Sequence, residues 1–249
     1  MQLTDLNIAA YLDEAGDDLE SAISNLKSLA INYVVIRNLW PTNVSMCSDS
    51  TLNHVRTVLD NSGLSIVALL FDSIGDIQRC LNIASYLKVQ YIRMVLPDGK
   101  QFTNNFISNL DRICGERGLQ ILLEPGVSAS LSSFDFVTWC QQNQNVHILF
   151  DPVELLIKHN VSVAERWLVP LSDYIVAVDV RDYNHGFGNK AIGFGIANIN
   201  TIVSKLESNF NRWYFLEPKL GRRYGSAVTR SETFKLAYLS FDSLLQSIE

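Results

Sequence analysis

Short apolar runs alternate along the chain with stretches in which apolar residues recur every three or four positions. The first pattern reads as strands buried on both faces, the second as amphipathic helices packed over them. Leu6–Leu12 (LNIAAYL) is the first expected strand, followed by a helix over Asp17–Ala30 with Leu19, Ile23, Leu26 and Leu29 on one face. Acids in its first turn suit a helix start. Tyr33–Trp40 is the second strand, and Ser50–Asn61 a helix closed by Gly63. Leu64–Phe71 is the third strand, ending near Asp72, and Asp76–Lys88 its helix. Tyr91–Leu96 is the fourth, before a helix over Asn105–Arg117 that Gly118 stops.

The fifth run, Leu119–Glu124, ends on a carboxylate, and Pro125-Gly126 turns the chain. A helix over Ser133–Gln142 leads to strand six, Val146–Phe150; a helix over Val161–Leu171 leads to strand seven, Ile175–Val180. Asn184–Gly195 is a polar, glycine-rich loop, Ile199–Ser208 a helix, Trp213–Leu216 strand eight, and Ser231–Ser247 the closing helix. Each crossover is long enough for parallel pairing. Eightfold alternation over 249 residues predicts an α/β chain folded as a single (β/α)8 TIM barrel spanning 1–249, since such barrels run to about 250 residues. An open doubly wound sheet is the alternative.

Composition narrows the function. A net charge of −6 lacks the basic footprint of a nucleic-acid-binding surface. The N-terminus has no basic stretch followed by a long apolar core, and no apolar run reaches the ~20 residues of a spanning helix. A cytoplasmic protein without membrane association is expected, with Cys47, Cys80, Cys114 and Cys140 as reduced packing residues. No GxSxG elbow or Walker lysine motif supports acyl transfer or nucleotide hydrolysis.

What stands out is where the acids fall. Strands five to eight deliver Glu124, Asp151, Asp179 and Glu217, at the end where α/β barrels carry their chemistry. Strand alternation puts Glu124 on the face of Leu122, Asp151 with Leu149, Asp179 with Ala177 and Glu217 with Phe215. If those faces point inward, four carboxylates converge and repel. A divalent cation would relieve this, and an all-oxygen set favours Mg2+ or Mn2+ over Zn2+. The competing explanation is that some of these acids cap helices or pair with Arg37, Arg93, Arg181 or Lys219, with no cofactor at all.

The series LLEP, FDP, VAVDVRD, GFGIANI and FLEP resembles, in order, the xylose isomerase-like barrel superfamily of sugar phosphate isomerases and epimerases. The resemblance covers most of the chain. It implies one divalent metal held by residues on strands five to eight, and two glutamates moving protons beside a substrate carbonyl. Carried over, Glu124 and Glu217 are the acid/base pair and ligands, and Asp151 a ligand. The chain departs at strand seven, where Asp179 replaces the family's histidine, and at Glu154, where members often carry another. A harder cation or a lost metal site follows.

Of the histidines, His54 and His147 read as structural and His159 as a loop residue, leaving His185, just after strand seven, as a candidate substrate contact. Arg37, Arg93, Arg181 and Lys219 either neutralise barrel acids or bind substrate hydroxyl, carboxylate or phosphate. Lys190 and Gly193-Phe194-Gly195 resemble the family's glycine loop, whose amides could hold an anion. Trp40 and Phe71 could wall a sugar ring or pack the barrel top.

The expected function is a metal-assisted isomerase or epimerase acting on a ketose, sugar phosphate or similar small carbonyl compound. The alternatives are an inosose-type dehydratase on the same barrel and a non-catalytic barrel that binds a sugar-like ligand or a protein. The apurinic-site endonuclease branch needs a histidine-rich metal cluster that four scattered histidines do not provide. Oligomeric state stays open; barrels of this type often pair, so a homodimer is among the options.

Overall fold

Eight strands pair edge to edge, all parallel, and close on themselves. In chain order they are β1 (Asn7–Tyr11), β2 (Tyr33–Ile36), β3 (Ser65–Phe71), β4 (Tyr91–Met94), β5 (Gln120–Leu123), β6 (Val146–Phe150), β7 (Ile175–Val180) and β8 (Trp213–Leu216). Each neighbours the next, and β8 closes against β1 through Asn7↔Trp213 to Ala10↔Leu216. The computed structural model describes residues 3, 6–71, 76–94, 103–125, 131–159, 161–206, 212–220 and 228–248, with the backbone alone at 94 and 161–165. Asp72, the end of the fourth expected strand (95–96), Gly126 and the end of the Ile199–Ser208 helix (207–208) lie outside them.

The barrel interior is a separate apolar cluster: Ala9 and Tyr11, Val35, Val67, Ala68 and Leu70, Tyr91, Leu122, Leu149, Ala177 and Phe215. A larger cluster fills the space between the strands' outer faces and the helices. Helix starts follow their side chains. Asp18 and Ser21 form a capping box, as do Thr229 and Glu232, and Ser48 accepts from the Thr51 amide. Gly63, at φ 74°, ends the helix Asp49–Ser62.

Four elements differ from the expectations. The first strand gives way to a one-turn helix, Leu12–Ala15. β2 stops at Ile36, and a small hairpin, Asn38–Leu39 with Thr42–Asn43, follows it with Pro41 in its turn. Pro152–His159 is helical, so His159 ends a helix rather than lying in a loop, its ring stacked 6.1 Å from Trp167. The Asp-Pro pair was the overlooked sign: Pro152 fits a first helical turn and Asp151 Oδ1 accepts from the Val153 and Glu154 amides. The glycine-rich loop contains a hairpin, Asp182–Asn184 with Gly188–Lys190, turned by Gly186 and Gly188 at φ 74° and 70°.

All four cysteines are free and buried, and burial pushes the Cys114 and Cys140 thiols up to about 12. Among the described residues no helix is long and apolar enough to cross a membrane.

The N-terminal end of the barrel is tied by Arg212. Its buried guanidinium donates to the Ile175 carbonyl (2.8 Å), the Ser172 carbonyl (2.7 Å) and the Leu206 carbonyl, joining β7, β8 and a helix end. Arg212→Met should cost at least about 4 kcal/mol, since each of its three bonds from a charged donor is worth about 1.5–3 kcal/mol and the stranded carbonyls add to the loss. Urea denaturation would show it as a lower midpoint at unchanged slope.

Candidate functional site

Seven of the eight strands lead, on their inward face, to a charged residue just past the apolar interior. Tyr11 is followed two positions on by Asp13, Val35 by Arg37, Tyr91 by Arg93, Leu122 by Glu124, Leu149 by Asp151, Ala177 by Asp179 and Phe215 by Glu217. One further inward step adds Arg181 and Lys219. Strand alternation thus stacks a charged layer on a greasy plug, at the C-terminal mouth. Glu124, Asp151, Asp179 and Glu217 are all buried, at 4%, 2%, 1% and 2% exposure.

Bases are interleaved with these acids. Arg37 pairs with Glu217, with Asp13 (3.0 Å) and with Glu14 (3.2 Å). Arg93 pairs with Glu124. Arg181 donates Nε and Nη2 to Asp151, reaches Glu154 at 2.8 Å, and lies 3.5 Å from Glu217. Lys219 Nζ sits 2.9 Å from Glu217. All four expected bases therefore engage barrel acids, the neutralising role of the two foreseen.

The pairing is uneven. Asp13, Glu14, Glu124, Asp151, Glu154, Asp179 and Glu217 outnumber Arg37, Arg93, Arg181 and Lys219. Asp179 is the acid left without a basic partner within ion-pair distance among the described residues; its Oδ1 accepts from the Tyr11 hydroxyl at 2.9 Å. Burial, reinforced by Glu217, Asp151 and Glu124, holds its carboxyl well above the usual range. Glu124 is also raised by burial, against the pull of Arg93. Glu217 goes the other way: burial opposes it, but Lys219, Arg181 and Arg37 bring it down to about 2.

One oxygen each from Asp151, Asp179 and Glu217 lies within 4.8 Å of the others. This triad could hold a metal ion, and its all-oxygen chemistry suits a hard one. The fit rests on Asp179, whose buried charge asks for a proton or a cation. Asp151 and Glu217 would share their oxygens between the ion and their bases. Glu124, the fourth expected ligand, falls outside the triad and binds Arg93.

Tyr11, Asp13 and Glu14 escaped the sequence reading because an isolated tyrosine and a pair of acids after a strand have no pattern of their own. Alternation from Ala9 would have placed Tyr11 and Asp13 inside. His185 is exposed on the hairpin turn, edge-on to Tyr183 at 5.7 Å, and joins no acid cluster among the described residues. His147 lies at the start of β6, its pKa lowered by burial. Phe71 is fully buried in the outer core, and Trp40 donates to the Gly16 carbonyl, so both pack the barrel top.

The amides of the glycine loop do hold an anion, and it is the chain's own. Asp182 accepts from Tyr183, Gly193, Gly195 and Ala197 N–H groups at 2.8–3.0 Å. A Cβ on Gly195 would stand 2.1 Å from Asp182 Oδ1 and 2.5 Å from the Tyr183 carbonyl. Gly195→Ala should therefore unseat the loop from Asp182, lowering the melting temperature and raising amide exchange at Gly193 and Ala197.

No family model matches the sequence, and no curated protein is significantly similar to it. Solved structures do match in fold. A xylose isomerase-like TIM barrel protein from Mycobacterium smegmatis in complex with magnesium is 14% identical, with a TM-score of 0.69 over 100% of both chains. A D-psicose 3-epimerase, solved in the presence of D-fructose, is 12% identical, with a TM-score of 0.68 over 98% of this chain and 99% of its own. A probable 3-DHS dehydratase from Bacillus anthracis is 12% identical, at 0.63 over 94% and 98%. The chain has the xylose isomerase-like barrel fold, and at these identities the likeness reaches no further.

Asp179→Asn removes a buried carboxyl that has no basic partner within ion-pair distance among the described residues. In the presence of a chelator at neutral pH it should melt about 2–4 °C above wild type, the shift that ~1 kcal/mol makes in a chain of this size. Because folding raises the Asp179 pKa, the folded state takes up a proton between about pH 3.9, the ordinary value, and the raised one. Stability falls as pH rises through that window, so the variant's advantage should vanish near pH 4. Calorimetry at several pH values would check both the sign and the window.

Proposed function

We propose that the protein is an isomerase or epimerase of small polyhydroxy carbonyl compounds, working at the C-terminal mouth of the barrel with a hard divalent cation at Asp151, Asp179 and Glu217. The observation that carries this reading is the buried triad, in which Asp179 lacks a basic partner within ion-pair distance among the described residues. Fold likeness to an epimerase and to a magnesium-bound barrel supports it. Mg2+ or Mn2+ is the expected ion; when bound it would polarise the substrate carbonyl.

The chain's own groups divide the remaining work. Glu124, buried and raised in pKa, is the carboxyl suited to taking a proton from the carbon beside the carbonyl near neutral pH. Arg93 keeps it oriented. Glu217, held at about 2, is a fixed carboxylate in the free protein. Its partners Lys219 and Arg37 are also the bases nearest to open space, with side chains 32% and 14% exposed. Drawn onto substrate oxygens, they would loosen their hold on Glu217, raise its proton affinity and let it return the proton. The apolar plug beneath keeps water from below.

A dehydratase shares the first step, deprotonation beside a carbonyl, and then loses hydroxide; a barrel neighbour described as a probable dehydratase keeps that reading in view. The ion pairs of Arg37, Arg93 and Arg181 support the other alternative, a barrel that binds a ligand without turning it over.

Incubation with a panel of free and phosphorylated ketoses, with Mn2+ or Mg2+, should yield isomeric products. Glu124→Gln should keep the fold and lower turnover about 10²–10⁴-fold, the usual share of general acid–base catalysis. Turnover unchanged in Glu124→Gln would end the proton-transfer role, and water loss from the products would select the lyase.

A further inference from the structure

We propose that Arg181 is a built-in counter-ion that competes with a divalent cation for Asp151 and Glu217, and so sets the cation affinity of the triad. Its guanidinium, 3% exposed, spans two of the three candidate ligands. Nε meets Asp151 Oδ2 at 3.0 Å and Oδ1 at 3.3 Å, and Nη2 also donates to Oδ2. Asp151 Oδ1 is further used by the Val153 and Glu154 amides, at 2.8 Å and 3.1 Å. Both oxygens of Asp151 are therefore engaged. The same Nε stands 3.5 Å from Glu217 Oε2, while Arg37 and Lys219 hold Oε1.

An ion ligated by Asp151 and Glu217 would sit against the guanidinium that already joins them. Two like charges at that range in a buried site repel strongly, so ion and guanidinium cannot both occupy the gap. The chain provides the guanidinium with somewhere to go. Glu154 Oε1 accepts from Nη2 at 2.8 Å, and its side chain is 27% exposed against 2–3% for Asp151 and Glu217. Swinging outward on Glu154 would free the triad while keeping Arg181 paired. In the metal-free protein Asp151 and Glu217 are thus already paired, and a cation binds by displacing an internal arginine.

This rests on the reading of Asp151, Asp179 and Glu217 as a cation site, and the test separates the two. Mn2+ binding to wild type, Arg181→Gln and Arg181→Lys is measured by calorimetry and by the electron paramagnetic resonance of unbound Mn2+. Arg181→Gln should bind Mn2+ at least about tenfold more tightly than wild type, because the competing unit charge is gone. Arg181→Lys, which keeps that charge, should stay near wild type. Equal binding by wild type and Arg181→Gln overturns the competition and leaves the cation site standing, as would a lysine variant that binds as tightly as the glutamine one. No Mn2+ binding by folded wild type and folded Arg181→Gln alike overturns the cation site itself, and this proposal with it. Should Arg181→Gln fold only with an ion present, restoration of its thermal transition by Mn2+ supports the proposal, and failure of millimolar Mn2+ to restore it counts against. None of these readouts depends on turnover, so an inactive ketose panel would not decide them.

Discussion

An ionised carboxylate removed from water must find a cation, a proton or several hydrogen-bond donors. That requirement governs the mouth of this barrel. The strands end on acids one step beyond an apolar interior, where solvent cannot help, and each acid has been met differently. Glu217 gathers three bases, Asp151 takes a guanidinium and two amides, Glu124 has Arg93, and Asp179, among the described residues, has a tyrosine hydroxyl. Placement of the bases decides which acid is a fixed anion and which one stays open to a proton or an ion.

The two ends of the barrel solve the converse problem as well. At the N-terminal end, free carbonyls are gathered by the buried Arg212; beside the mouth, free amides are gathered by the buried Asp182. Each is a single charged side chain satisfying several backbone groups, which is how irregular chain can be buried against a regular sheet. The glycine loop is consequently closed on itself, with its amides spent on Asp182. Binding chemistry is left to the charged layer between β1 and β8.

Barrels of one fold host many reactions, so the reaction has to be argued from the charged layer rather than from the strands. Here the fold is shared with an epimerase and a probable dehydratase. An aspartate on β7, with an arginine two residues on, puts a negative and a positive charge into the same few ångströms. Under the proposed function the first would favour a hard cation and the second would compete with it. That tension is a property of the local sequence Asp179-Val180-Arg181, carried by strand alternation into the barrel centre.

Much of this was legible from sequence, because it depends on local spacing. Apolar runs ending in an acid located β5 to β8, with Val146–Phe150, Ile175–Val180 and Trp213–Leu216 matching residue for residue, and strand alternation oriented Glu124, Asp151, Asp179 and Glu217 inward. Elements set by a single residue's hydrogen bonds were not legible: the helix begun by Asp151-Pro152, the hairpin within 182–190, the loop closed on Asp182. Nor did the sequence say which base meets which acid. Arg37 and Glu217 lie 180 residues apart, Tyr11 and Asp179 168. Only closure of β8 against β1 brings such pairs within reach, and with them the difference between a carboxyl held at about 2 and one pushed far above its ordinary value. Local periodicity determined which groups face the centre; the order of strands around the barrel decided how charged each of them is.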